Sequence, residues 1–394
     1  MKKILVIGAG FLQDFVIRKA KEMGYVTLAV DGNPNAVGFA HADKSAVINI
    51  VDEKACLDYA RQESVDGVLT AATDYGVLTA SYIAREMGLV GIDYEVAKTI
   101  KNKYKIRKCL FENHVDDTEQ AYEINCDTDI AKLADKLIYP VMVKPCDGSG
   151  SRGANRVDLP EELAAACKEA IGASITHRAV IETFIFGEEY GAESLVLNGE
   201  VHVLGIMRKI MTKPPYYAEL GHAMPCGLPL EVEKRAKECV KSAIKALGVN
   251  SGSVNMDMLI TKEGKIYIID IGARMGGNLI GSHIIPSGTG VDYMANMIRN
   301  AAGDKTEVSP KAETLPVATR ILALTPGVVS ELPDFEAIEA KYGVIIEHHL
   351  NIGDEITMYR TNLDGCGYVV AVGDDAEEKA MGALTEIDRS IVRK

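Results

Sequence analysis

The sequence has no tryptophan, no Cys-x-x-Cys pair, no His-Glu-x-x-His signature and no apolar run of 18 residues. Each absence removes a class of function. Without such a run, no helix is expected to span a membrane. The eight cysteines are scattered, and the two closest, Cys226 and Cys239, stand 13 residues apart. Those spacings suit neither a zinc knuckle nor a redox pair. A chain of 394 residues can bury a large core without disulfide staples, so free thiols and a cytoplasmic location are expected. Positive charge is also short. The net charge of −13 sets up a bulk field that repels nucleic acid and anionic lipid, so neither is an expected partner. The opening, Met1 to Gly10, turns glycine-rich without a cleavage region and reads as a first strand, not a signal peptide.

What is present is ordinary globular composition, 47% apolar and 25% charged, over a length that allows two to four domains. Residues 1 to about 93 alternate buried strands with amphipathic helices: strands at Ile4 to Ile7, Val26 to Val30 and Gly67 to Thr70, helices to Met23, over 53 to 62 and over Tyr75 to Met87. That pattern predicts an α/β domain with a parallel sheet covered on both faces. A charged helix over about 95 to 111 and a turn-rich piece from Asp116 to Asp129 read as a connection. The middle third reads as antiparallel sheet plus helix, with hairpins turning at Asn198-Gly199 and near Glu263-Gly264, and the longest helix over 231 to 247. Short strands and a last helix near 376 to 387 make a β-rich tail, with His348 and His349 on opposite sides of a strand or turn. The expected division is 1–94, a connection 95–128, then 129–190, 191–305 and 306–394.

Three segments carry candidate chemistry. Gly8-Ala9-Gly10, with Asp31 after the next strand, has part of a dinucleotide fingerprint, but Gln13 stands where close helix packing needs Gly or Ala. A dinucleotide, another ligand at the helix N-terminus and a merely tight turn all stay open. The second segment runs from Lys144 to Gly153: a lysine at a strand end, then a loop whose glycines let backbone N–H groups converge on phosphate oxygens. A mobile surface hairpin is the competing reading. The third pairs Asn255-Met256-Asp257 with Asp270 to Asn278. A hairpin turning at Glu263-Gly264 sets Asp257 opposite Asp270, and two opposed carboxylates call for a cation between them, suited to Mg²⁺ carrying nucleotide phosphates.

In this order the segments resemble the ATP-grasp superfamily and its carboxylate–amine ligases, over nearly the whole chain. The resemblance implies an α/β pre-ATP-grasp domain, an α+β ATP-grasp fold and a small C-terminal β-rich domain. It assigns Asn102-Lys103, Lys144 and the loop Ser149, Ser151 and Gly153 to the phosphates. Glu182, Thr183 and Ile185 become the adenine hinge, and Glu189 the ribose contact. Asp257 and Asp270 become Mg²⁺ ligands, with Mn²⁺ admitted as a substitute, and Arg274 steadies the transferred phosphoryl. The chain departs from the family's Glu-x-Asn-x-Arg pattern at two places: Asp270 replaces the glutamate, and Gly272 lacks the third oxygen.

Arg274-Met275-Gly276-Gly277-Asn278, Glu219-Leu220-Gly221-His222 and the tail with Arg320 resemble L-amino-acid ligases, within a group that also holds proteins like biotin carboxylase and carbamoyl-phosphate synthase. On that likeness Glu219 and His222 line the acceptor pocket, read from residues alone as a loop, with Gly276, Gly277, Asn278 and Arg320 beside them. The implied reaction activates a small carboxylate as an acyl-phosphate for attack by an amine, with ATP and Mg²⁺ as cofactors and loop 147–153 closing as a lid. A homodimer is an assembly the likeness admits. A purine-pathway ligase or transformylase of the same fold and a non-catalytic ATP-binding relic are the alternatives.

Overall fold

The computed structural model describes residues 1–119, 121–148, 152–214, 216–310 and 314–394. Its first sheet is parallel, with strands in the order Lys44–Val47, Val26–Asp31, Lys3–Ile7, Gly67–Leu69. The run Ile4 to Ile7 is apolar throughout because both faces are covered. Ile4 and Val6 pack with Val16, Ala20 and Ile298, while Leu5 and Ile7 pack with Leu28, Leu57 and Ile83. Ile298 lies on the helix Tyr293–Ala301, so one face of this sheet is seated on the body of the protein. The strand Lys44–Val47 is a short edge strand with mostly exposed residues, which left it no apolar pattern to read.

The glycine turn is occupied from within. Gln13 donates its side-chain amide to the Ala71 carbonyl, and its Cγ would lie 3.3 Å from a Cβ at Gly8. Asp31 accepts from the Ala9 N–H at 2.8 Å. The acid that a dinucleotide would use is spent on the turn itself and Gln13 fills the space beside Gly8, which favours the tight-turn reading.

A small four-stranded sheet, in the order Tyr122–Ile124, Ala179–Thr183, Val141–Pro145, Asn155–Val157, is antiparallel and carries the helix Leu163–Ala173. The large sheet has eight strands, in the order Ile266–Gly272, Gly252–Ile260, Glu188–Leu197, Glu200–Met211, Glu219–Met224, Val317–Ile321, Gly367–Val372, Val344–His348. The tail's strands therefore extend the central sheet, joined at Met224↔Val317. The helices Phe335–Tyr342 and Ala376–Ser390 cover this end, Ile338 and Ile387 packing with Val369 and Ala371. The hairpin at Asn198-Gly199 turns with φ 50° and 81°, the left-handed pair that suits the twist of the flanking strands.

Two expectations are corrected. The span 95–111 is two helices, Tyr94–Ile100 and Lys103–Glu112, because the Asn102 side chain accepts the Lys105 N–H and starts a new helix while the Lys103 N–H donates to the Cys146 carbonyl. Glu219 to Met224, read as a loop, is a strand inside the large sheet. Gly221 allows it: a Cβ there would sit 2.0 Å from the Thr319 carbonyl oxygen.

Candidate active site

The small and large sheets face each other across a cavity of about 570 Å³, and half of the predicted residues line it. Lys103, Lys144, Glu182, Thr183, Ile185, Glu189, Glu219, Asp257 and Asp270 all line it. The turn at the tip sets Asp257 opposite Asp270. A bulge follows, with Met258 opposite Ile268, and the unpaired Ile269 turns its carbonyl to the Lys144 ammonium at 2.9 Å. Lys144, on the other lobe, thereby bridges the cleft.

The cations and carboxylates of this cavity are paired. Lys103 lies 2.5 Å from Asp270, and Lys144 2.6 Å from Glu182, which also takes the Arg107 guanidinium at 2.7 Å. Burial pushes the Glu182 carboxyl up, but Arg107 and Lys144 outweigh it and hold the group at about 2. Burial lowers the Lys144 ammonium, against which the Glu182 charge works. Thr183 donates its hydroxyl to Glu119.

Lys209 is one of the residues that sequence reasoning missed. Its side chain is 3% exposed and meets three carboxylates: Glu219 at 2.6 Å, Asp257 at 3.0 Å and Glu189 at 3.4 Å. Burial opposes its charge, yet Asp257, Glu219 and Glu189 raise it well above an ordinary lysine. To reach Asp257 it crosses the intervening strand at Gly191, which pairs with Asp257 and would place a Cβ 4.0 Å from the Lys209 Cδ. The only sequence signal was a lysine inside an apolar strand. Glu219, with burial again opposing, is held at about 2 by Lys209 first and His222 after it.

Arg274 lies at a second, smaller recess of about 40 Å³ that also contains Asp257, Asp270 and Gly272. Asn278 donates its amide to Glu219 and accepts from the Tyr368 hydroxyl at 3.1 Å. The Tyr359 hydroxyl donates to the Glu219 carbonyl, so the tail frames this glutamate. Gly277 lies over Leu12 and Ala72. Arg274, Gly276, Gly277 and Asn278 do not line the large cavity, and three further predicted residues also lie off it. His222 is 1% exposed and 3.9 Å from Glu219, with burial lowering its ring to about 4. Arg320 points to Glu377 at 3.2 Å and to the Thr319 carbonyl. Gly153 packs against Pro145 and Ala173. Ser149 and Ser151 lie outside the described residues.

Gly276 rests on a buried acid. Its N–H donates to Glu193 at 3.0 Å, the Asn255 amide donates to the same oxygen at 2.7 Å, and the Tyr293 hydroxyl donates to the other at 2.8 Å. Burial pushes the Glu193 carboxyl up to about 8, against the opposing pull of those hydrogen bonds and of Arg274. The folded protein therefore keeps a proton there that the unfolded chain releases near the ordinary glutamate value of 4.5, and the stability this proton contributes is lost as pH rises toward about 8. Glu193→Gln should flatten that part of the stability profile; urea melts of both proteins at pH 6 and pH 9 check it, and parallel profiles would refute it.

Residues 137–282 match the ATP-grasp domain family. The chain carries an ATP-grasp domain. Residues 320–388 of this ATP-grasp chain match the L-amino acid ligase C-terminal domain 2 family. The formate-dependent phosphoribosylglycinamide formyltransferase of Ignicoccus hospitalis is 26% identical over 311 residues, covering 75% of this chain and 72% of that protein. An L-amino acid ligase from Bacillus licheniformis shares the fold with a TM-score of 0.83 and 24% identity, over 100% of this chain and 99% of that one. The biotin carboxylase domain of the Hydrogenobacter thermophilus 2-oxoglutarate carboxylase, solved with MgADP, ADP and bicarbonate, does so with a TM-score of 0.79 and 20% identity, over 100% and 90%. The likeness to the two solved structures shows that the ATP-grasp chain shares their fold. No helix among its described residues is long and apolar enough to cross a membrane.

Proposed function

We propose that this protein is an ATP- and Mg²⁺-dependent ligase that joins an amino acid, as carboxylate, to an amine through an acyl-phosphate. The observation that carries this reading is the frame around Glu219. A carboxylate kept ionised by Lys209 takes the Asn278 amide from the ATP-grasp lobe, and Tyr359 from the tail, the part that matches an L-amino acid ligase domain, holds the backbone carbonyl of the same residue. An anion so fixed at the edge of a phosphate-binding cavity is suited to a substrate ammonium.

The residues fit a hard cation. Asp257 and Asp270 oppose each other across the hairpin, and among the described residues no group of three or more His, Cys, Asp or Glu side chains could hold a metal, so phosphate oxygens and water complete the set. Mg²⁺ on these two carboxylates would supply neutralisation of phosphate charge. Lys103 and Lys144 are placed to exchange their carboxylate partners for the nucleotide's phosphates. Arg274 stands by the recess where the γ-phosphoryl would pass to the substrate carboxylate, releasing ADP. The amine then attacks the acyl carbon and phosphate departs. Donors already in place at developing charge account for most of the rate in such transfers. Thr183 and Ile185 are the proposed adenine edge and Glu189 the ribose contact.

ADP release with ATP, Mg²⁺ and a panel of L-amino acids tests this. Amino-acid-dependent ADP is expected. ADP that appears only with formate and a ribonucleotide amine would replace it with the purine-pathway reading, which the 26% likeness to the formyltransferase keeps in the test. Glu219→Gln should raise the KM of an amine substrate bearing an ammonium by roughly 10- to 100-fold, the cost of a charged hydrogen bond, and leave ATP affinity unchanged by calorimetry.

A further inference from the structure

Arg274 owes its orientation to a different domain. After the strand Gly67–Leu69 the chain runs over the ATP-grasp lobe, where Ala71 forms a bridge with Met275 and the Ala72 N–H donates to the Met275 carbonyl at 3.0 Å. Gln13 holds the Ala71 carbonyl from behind, and Ala72 takes the left-handed backbone at φ 56°. This segment delivers Asp74 to Arg274: Nε lies 3.0 Å from one carboxylate oxygen, and Nη2 donates to the other at 3.3 Å. Burial would lower the guanidinium, and Asp74 instead raises it. The next residue, Tyr75, accepts from Arg152 at the end of the glycine-rich loop.

The pair sits over Gly272. A Cβ there would be 3.0 Å from the Arg274 Cζ and 3.1 Å from an Asp74 oxygen, so a side chain at position 272 would push the Asp74–Arg274 pair by a few tenths of an ångström. Gly272 shares a strand face with Asp270, two residues before it, and Asp74, Asp257, Asp270 and Arg274 line one recess.

We propose that Asp74 is a positioning residue for phosphoryl transfer: from the N-terminal domain it holds Arg274 by an ion pair and one hydrogen bond and aims it at the recess between the paired aspartates, in space that Gly272 leaves open. The proposal rests on the role given to Arg274 above. A carboxylate partner restricts the rotamer freedom of the long side chain before substrate arrives, and misplacement of such a group by about 1 Å costs about 100-fold in rate.

The test is a double-mutant cycle of Asp74→Asn and Arg274→Ala. ATP affinity should stay within about twofold in Asp74→Asn, kcat should fall roughly 10- to 100-fold, and Asp74→Glu should recover most of it. Affinity for ADP with aluminium fluoride, a mimic of the phosphoryl in flight, should fall by a similar factor. In the Arg274→Ala background the Asp74 change should cost nothing further. Gly272→Asn should lower kcat to the same order by displacing the pair. Additive losses, unchanged kcat in Asp74→Asn, or unchanged kcat in Gly272→Asn would each overturn the proposal. Wild-type turnover in Arg274→Ala alone would instead remove the role of Arg274 on which it rests.

Discussion

Lys209→Met should lower stability by about 3–5 kcal/mol at pH 7.5, the largest loss expected from any single change in the cavity. The side chain is buried among Glu219, Asp257 and Glu189, and methionine keeps its length while leaving three carboxylates facing one another. Two adjustments relieve the repulsion: proton uptake and cation entry. Burial, with Glu219 and Asp270 adding to it, already holds the Asp257 carboxyl up at about 6 despite Lys209. Without the lysine it binds a proton more readily still, so lowering the pH to about 5.5 should recover part of the loss. Denaturant melts of both proteins at the two pH values measure this. Equal stability at pH 7.5 would mean that Lys209 is not the counter-ion of these acids.

The second large effect separates the two aspartates. Asp257→Asn and Asp270→Asn should each lower kcat by roughly 100-fold or more and raise the Mg²⁺ concentration needed for turnover, a loss of the size seen when one stabilising group leaves a polar transition state. Their stabilities should part. Asp257 is half-buried and crowded by Glu219 and Asp270, so its amide relieves repulsion and should be neutral or stabilising at pH 8. Asp270 is held below its ordinary value by Lys103 and Lys144, which overcome burial, so its amide strands the Lys103 ammonium and should destabilise. Thermal melts in EDTA, alongside Mg²⁺ titrations of ADP release, check both halves. Full activity of both variants at low Mg²⁺ would refute the metal site.

The paired aspartates were legible because a hairpin is local: once Glu263-Gly264 fixes the turn, the register of Asp257 and Asp270 follows from counting. The parallel sheet was legible for the same kind of reason, its Ile4-to-Ile7 run being apolar on both faces. Lys209, Arg107 and Asp74 were not. Each meets its carboxylate or guanidinium only after separate elements pack: Arg107 with Glu182 across the cleft, Asp74 with Arg274 across a domain boundary. No spacing in the chain encodes those meetings. His222 misled in a different way. Its neighbours Gly221 and Pro225 have turn chemistry, but the glycine serves close approach to the Thr319 carbonyl, and the histidine lies in a sheet interior with its backbone N–H on the Thr319 hydroxyl.

Trapping the activated carboxylate tests the central claim most directly. With ATP, Mg²⁺ and an amino acid that supports ADP release, hydroxylamine should intercept the acyl-phosphate, and one hydroxamate should form for each ADP. ADP released without any hydroxamate, or ATP bound with no ADP formed for any carboxylate, would contradict an acyl-phosphate ligase.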